Sequence, residues 1–294
     1  FDSLLSCGDA AWDRRASIGG RCVIAQTSGR SLEQDGRGGA KGYDGAVFSM
    51  ALGLRQPVSE DVTLGVMASY EQSSFNGDGG ADSDGDSATL GVSATRAYGD
   101  MAVTLAAGGS FGVHDVTRST TGASGPLSAR GEYAAWSAAL RGRIDYGLRF
   151  GGTLVTPALD LDLIHAAADG YRETGAGAFD LKVEDSSETA FRATPSIGIA
   201  RGFGLGEATT MTLWGTAGVS FSTSDAYVAT ARFASATAAG GFSSATPVAD
   251  VAARVSTGIS FAATERLDVG LRYDGAFGDG YSGHAGSLRV EWKF

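Results

Sequence analysis

Gly108-Gly109-Ser110-Phe111-Gly112 spells G-x-S-x-G, a pattern that can raise a serine nucleophile on a sharp strand-to-helix turn. The neighbouring residues supply no such turn. MAVTLAAGGSF puts Met101, Val103, Leu105 and Phe111 at alternate positions, so the pattern lies within a strand. His114 shares the face of Ser110 but follows it by four residues, roughly 13 Å at strand rise, beyond hydrogen-bond reach. Asp82, Asp84 and Asp86 in GADSDGDS suggest calcium, yet Ser87 and Ser93 stand where an EF-hand needs Gly and Glu. A solvated acidic loop is the better reading. Gly278-Asp279-Gly280-Tyr281-Ser282-Gly283 matches G-x-G-x-x-G, but a strand follows it where a dinucleotide site needs a helix. His114, His165 and His284 sit on separate elements with no metal-binding spacing. No catalytic residue, metal site or cofactor is expected.

One charged set has a definite spacing. Arg141 and Arg143 alternate with apolar Leu140 and Ile144, and Asp160 and Asp162 alternate with Leu159, Leu161 and Leu163. Pairing across strands would make these four a salt-bridge network on the polar face of a sheet.

The elements carrying these residues repeat with period two. FSMALGL, VTLGVMASY, AALRGRIDY, TLVTPALDLDL, MTLWGTAGVSF, RLDVGLRY and SLRVEWKF all alternate. The second face is mostly Gly, Ala, Ser and Thr with some Arg and Asp, as inside a barrel whose apolar face meets lipid. Odd residues of 101–113 and 155–163 should then face lipid. Tyr70, Phe75, Phe111, Tyr133, Tyr146, Phe221, Tyr273 and Phe277, near strand ends, should supply interfacial girdles.

Short connections fall near 56–61, 98–100, 148–152, 202–208 and 263–265. Longer Gly/Ser/Asp-rich ones fall near 34–42, 76–86, 119–131, 171–187, 224–246 and 276–284. That alternation gives an all-β, transmembrane antiparallel β-barrel of about twelve strands over 20–294, with a short N-terminal linker at 1–19. Gly8, Gly19 and Gly20 weaken a helix in that linker. The chain starts at Phe1 without a signal segment and reads as a mature product or a fragment. A net charge of −10 without a Lys/Arg run argues against nucleic acid. Cys7 and Cys22 suit one disulfide in an oxidising compartment.

Three stretches carry a family resemblance: GYDGAVFSMALGLRQPVSEDVTLGVMASYEQSSF (42–75), DGYRETGAGAFDLKVED (169–185) and RYDGAFGDGYSGHAGSLRVEWKF (272–294). With these, residues 20–294 resemble the C-terminal translocator domain of a type V autotransporter of Gram-negative bacteria. The resemblance implies a monomeric barrel in outer-membrane lipid that secretes and anchors its own upstream passenger. It also implies that the final strand, through Leu288, Val290, Trp292 and Phe294, is the signal read by the barrel-assembly machinery. A linker would occupy the pore. Some members cleave themselves at an Asn in that linker; here the single Asn, Asn76, lies in an expected loop, which disfavours that step. The alternatives are a passive porin-like channel and, third, an outer-membrane hydrolase.

Overall fold

The computed structural model describes residues 21–294, apart from 37–40, 123–124, 206–208, 225 and 237–239. The expected linker at 1–19 lies outside the described residues. The strands are β1 (Cys22–Gln34), β2 (Tyr43–Pro57), β3 (Val62–Gly77), β4 (Ala81–Tyr98), β5 (Met101–Gly122), β6 (Gly125–Tyr146), β7 (Leu148–Phe150), β8 (Thr153–Ala168), β9 (Tyr171–Arg172) and β10 (Leu181–Val183). They continue with β11 (Ser186–Gly204), β12 (Thr210–Ser222), β13 (Ala226–Phe233), β14 (Phe242–Pro247), β15 (Val251–Ala262), β16 (Leu267–Gly278) and β17 (Tyr281–Lys293).

Among the described residues twelve strands close into an antiparallel barrel, in the order β1-β2-β3-β4-β5-β6-β8-β11-β12-β15-β16-β17. Short β7 prolongs the line of β6 past Gly147 along β8. Closure is direct: β17 pairs with β1 from Cys22↔Lys293 to Gln34↔Tyr281. A sheet closed on itself leaves no unpaired edge, which is the condition for strands to cross lipid.

Alternation sorts the side chains. Leu90, Leu105, Leu140, Ile197, Leu213 and Leu271 are exposed on the outer face. Ser93, Ala106, Asp160, Asp162, Ala200, Thr212 and Ser220 are buried on the inner one. The outer face has the apolar chemistry that lipid requires; a charge at its midplane would cost about 2–4 kcal/mol.

Three expected loops turn out to be mostly strand. Residues 76–86, 119–131 and 276–284 mostly continue β3–β4, β5–β6 and β16–β17, whose ladders run to the pairs Gly77↔Ala81, Gly122↔Gly125 and Gly278↔Tyr281. β5 and β6 each run 22 residues, whereas about 9–11 cross the hydrocarbon. The rest therefore stands clear of the membrane on the long-connection side, where both faces are wet. Asp82, Asp84 and Asp86 lie on the outer face of this projecting part, where lipid imposes no penalty. The connections at 169–185 and 223–250 contribute a second sheet, ordered β14-β13-β10-β9, which caps that rim.

Two of the expected girdle aromatics point inward. Phe75 is half-buried and meets Tyr43 edge-on. Tyr133 stacks on His114, with ring centroids 5.0 Å apart. Tyr70, Phe111, Tyr146, Phe221, Tyr273 and Phe277 do lie exposed on the outer face.

Candidate translocation pore

β6 and β8 are neighbours, and their register sets Arg141 opposite Asp162 and Arg143 opposite Asp160. Arg141 donates through Nε (2.5 Å) and Nη2 (2.9 Å) to the two carboxylate oxygens of Asp162. Arg143 Nη1 lies 3.3 Å from each oxygen of Asp160, and its Nε lies 3.7 Å from Asp145. The four charged residues singled out by spacing are thus together, on the wall facing the lumen.

The wall carries further pairs. Arg272 bonds Asp274 and lies over the inward Trp214 ring, 5.4 Å from its centroid. Arg289 bonds Glu291 at 2.8 Å, and Lys293 bonds Asp268. Arg30, Arg192 and Arg254 also occupy inward positions of β1, β11 and β15. They were missed in the sequence because none has an oppositely charged residue two positions away on its own strand. The signal lay in the period: each occupies the polar phase of an alternating segment.

At the long-connection rim, ETGAGAF forms a strap. Glu173, only 2% exposed, accepts from Arg118 Nε at 2.9 Å and Nη2 at 2.5 Å, and from the Leu181 backbone N–H at 2.8 Å. Arg118 Nη2 also donates to the Phe179 carbonyl. Thr174 and Arg130 exchange two backbone hydrogen bonds, which tie the strap to β6. Gly175 sits at φ +111°, with Ser128 O 2.6 Å from where a Cβ would stand, so a side chain there is excluded twice over. Tyr171 stacks on Tyr133 at 5.5 Å. Burial, with the Glu173 carboxylate adding to it, pushes the Tyr171 phenol up to about 12.

The G-x-S-x-G serine lies within strand β5 and not on a strand-to-helix turn. Ser110 and Ser137 share a hydrogen bond at 2.7 Å, and His114 is turned away into its stack with Tyr133. The His114 ring also fills the space over Gly85, where an added Cβ would be 2.0 Å from Nδ1. His165 bonds Thr189 at 2.8 Å and His284 bonds Tyr273 at 2.8 Å, both on the outer face. Among the described residues no cluster of His, Cys, Asp and Glu could hold a metal ion.

Leu288, Val290, Trp292 and Phe294 line up on the outer face of β17 and just past it, 42%, 39%, 51% and 61% exposed. Beneath them β17 is hydrogen-bonded to β16 on one side and β1 on the other. Cys22, wholly buried at the start of β1, is disulfide-bonded; Cys7 lies outside the described residues.

Both ends of the barrel lie at one rim. Cys22 pairs with Lys293 and with Arg55, next to the short β2–β3 turn at 58–61. A closed barrel with a charged lumen and both ends at its short-turn rim is the architecture of an outer-membrane barrel. The family model for the autotransporter beta-domain matches residues 23–274, and the chain belongs to that family. It is a translocator barrel of the outer membrane, the class in which such a domain is joined to a passenger.

Solved structures agree on the fold. The translocator domain of the autotransporter NalP from Neisseria meningitidis is 17% identical, with 94% of this chain and 89% of that one covered, at a TM-score of 0.76. The β-domain of the Bordetella autotransporter BrkA is 14% identical over 94% and 100%, at 0.65. The transport unit of AIDA-I from Escherichia coli is 14% identical over 93% and 90%, at 0.60. A comparison with curated proteins finds no match.

Proposed function

We propose that the barrel carries a passenger, joined ahead of β1, through its lumen to the cell surface and then anchors it there. The observation that carries this is the position of Cys22. β1 starts at the short-turn rim, which in outer-membrane barrels is periplasmic. A segment entering there reaches the other side without crossing lipid only through the lumen, whose wall is polar. The barrel acts by shape and by coupling passage to folding, and no bond-making step is needed.

Leu288, Val290, Trp292 and Phe294 are proposed as the signal for the barrel-assembly machinery. They present alternate apolar side chains on a strand that is an unpaired edge until the barrel closes, which is the ligand for recognition by strand addition. A Cys7–Cys22 bridge is proposed to staple the linker at 1–19 to the first strand. Closing a loop of about 15 residues contributes roughly 3 kcal/mol in the chain-entropy model. The barrel is proposed to work as a monomer in outer-membrane lipid.

Deleting Phe294 tests the assembly reading. Heat-modifiable protein in the outer membrane should drop severalfold, whereas a charged substitution at Ser243, in the cap, should leave it unchanged. Normal levels of the Phe294 deletion would refute the signal. A porin-like channel is separated from this reading by a vacant, ion-conducting lumen with no passenger dependence.

A further inference from the structure

The cap at the long-connection rim carries a row of cations. In its sheet Arg172 lies opposite Lys182, and Lys182 lies opposite Arg232. Directly opposed residues share a face, so three positive side chains stand side by side across β9, β10 and β13. The other face is occupied: Tyr171, Val183 and Ala231 are opposed there in the same way, and Tyr171 stacks on Tyr133. Like charges set directly opposite one another destabilise a sheet. Strands of two and three residues, as β9 and β10 are, have little stability to give up.

The protein offsets this row only weakly. Arg172 Nη2 donates to the Ala234 carbonyl at 2.9 Å, which positions the guanidinium without neutralising it. Glu184 Oε1 lies 3.5 Å from Arg232 Nη1, with side chains 44% and 34% exposed, so water screens the contact. Among the described residues no carboxylate, Asp185 included, lies within ion-pair distance of Arg172 or Lys182. Arg232 Nε is buried and makes no hydrogen bond, and a buried N–H calls for an acceptor. Arg172, Lys182 and Arg232 line one open cavity of about 690 Å³, together with Gly170, Glu184 and Asp185.

The spacing selects the ligand. Neighbouring strands lie about 4.8 Å apart, so the row spans roughly 10 Å. One orthophosphate cannot touch both ends, whereas a chain of phosphate groups can, and its charge suits Arg and Lys donors alike. Height selects the source. The strap meets β6 at the Arg130↔Thr174 bridge, about 16 residues from the short-turn end of that strand. About 9–11 residues cross the hydrocarbon, which leaves the row roughly 12–16 Å beyond it, past a headgroup layer of about 5–7 Å.

We propose that Arg172, Lys182 and Arg232 form a site for dissolved polyphosphate on the outer face of the cap. Isothermal titration of tripolyphosphate into the folded full chain, in uncharged detergent micelles, tests it. One site per barrel is expected, bound at least about tenfold more tightly than orthophosphate at equal ionic strength. Lys182→Gln, an exposed change at the centre of the row, should weaken binding about tenfold, and Lys182→Arg should retain it. Glu184→Gln removes the competing carboxylate and should tighten binding about threefold. The lumenal arginines offer the same chemistry, but binding there would not respond to Lys182→Gln. No binding, no preference over orthophosphate, indifference to Lys182→Gln, an equal loss in Lys182→Arg, or weaker binding in Glu184→Gln would each overturn the proposal. In phosphatidylcholine vesicles the affinity ratio between the parent and Lys182→Gln should be the same with and without added phosphatidic acid. A ratio that falls to one when phosphatidic acid is present would assign the row to lipid headgroups and overturn the dissolved source.

Discussion

Two stretches of the same lumen wall use arginine in opposite ways. On β6 and β8, Arg141 and Arg143 face carboxylates across a ladder pair, so charge is cancelled where it is buried. On β11 and β15, Arg192 and Arg254 have the same side chain and the same inward phase but, among the described residues, no bonded carboxylate. The first arrangement ties neighbouring strands together; the second does not. The rim strap extends the contrast, because Arg118 and Glu173 form a buried pair that holds a connection instead of a wall.

The largest effect should come from the strap. Glu173→Ala removes three hydrogen bonds from a carboxylate that is 2% exposed and leaves Arg118 uncompensated. Breaking such a pair costs about 3–5 kcal/mol. Limited proteolysis of folded barrels should show new cleavage within 173–181 while the barrel stays heat-modifiable. Asp162→Ala comes next. It strips Arg141 of its partner and sets two guanidinium groups face to face, and partial exposure of Arg141 lowers the cost to about 2–3 kcal/mol. Urea unfolding from lipid vesicles measures that loss.

Asp160→Ala should cost only about 1 kcal/mol, since its contact with Arg143 is looser at 3.3 Å and Asp145 stands nearby as a second partner. The smallest effect belongs to Arg192. Arg192→Gln removes repulsion along with charge and should change stability by no more than about 0.5 kcal/mol, with stabilisation the expected sign. A loss above that of Asp160→Ala would show that Arg192 has a structural partner and would erase the contrast between the two walls.

Much of the barrel could be read from period two alone, because lipid outside and polar lumen inside enforce strict alternation. Arg141, Arg143, Asp160 and Asp162 were legible for that reason, as they sit in phase on strands that adjoin in sequence. The hairpins at 76–86 and 119–131 were read as loops from their Gly, Ser and Asp content. Above the membrane both faces of a strand meet water, so the apolar signal fades while the ladder continues. The Arg118–Glu173 pair spans 55 residues and a connection without period, so no spacing announced it. Arg192 was invisible as a neighbour of Asp162, since the β8–β11 pairing crosses the residues that form β9 and β10.

The account rests on passage through the lumen, and Ser196 and Ile197 offer the sharpest test of it. They are consecutive on β11, Ser196 facing inward and Ile197 exposed on the outer face. A photo-crosslinking residue is placed at one position or the other while a passenger fused ahead of residue 1 is stalled in transit. Crosslinks to the passenger should form from position 196 and not from 197. Crosslinks from 197 alone would show that the passenger travels outside the barrel, and would contradict the account.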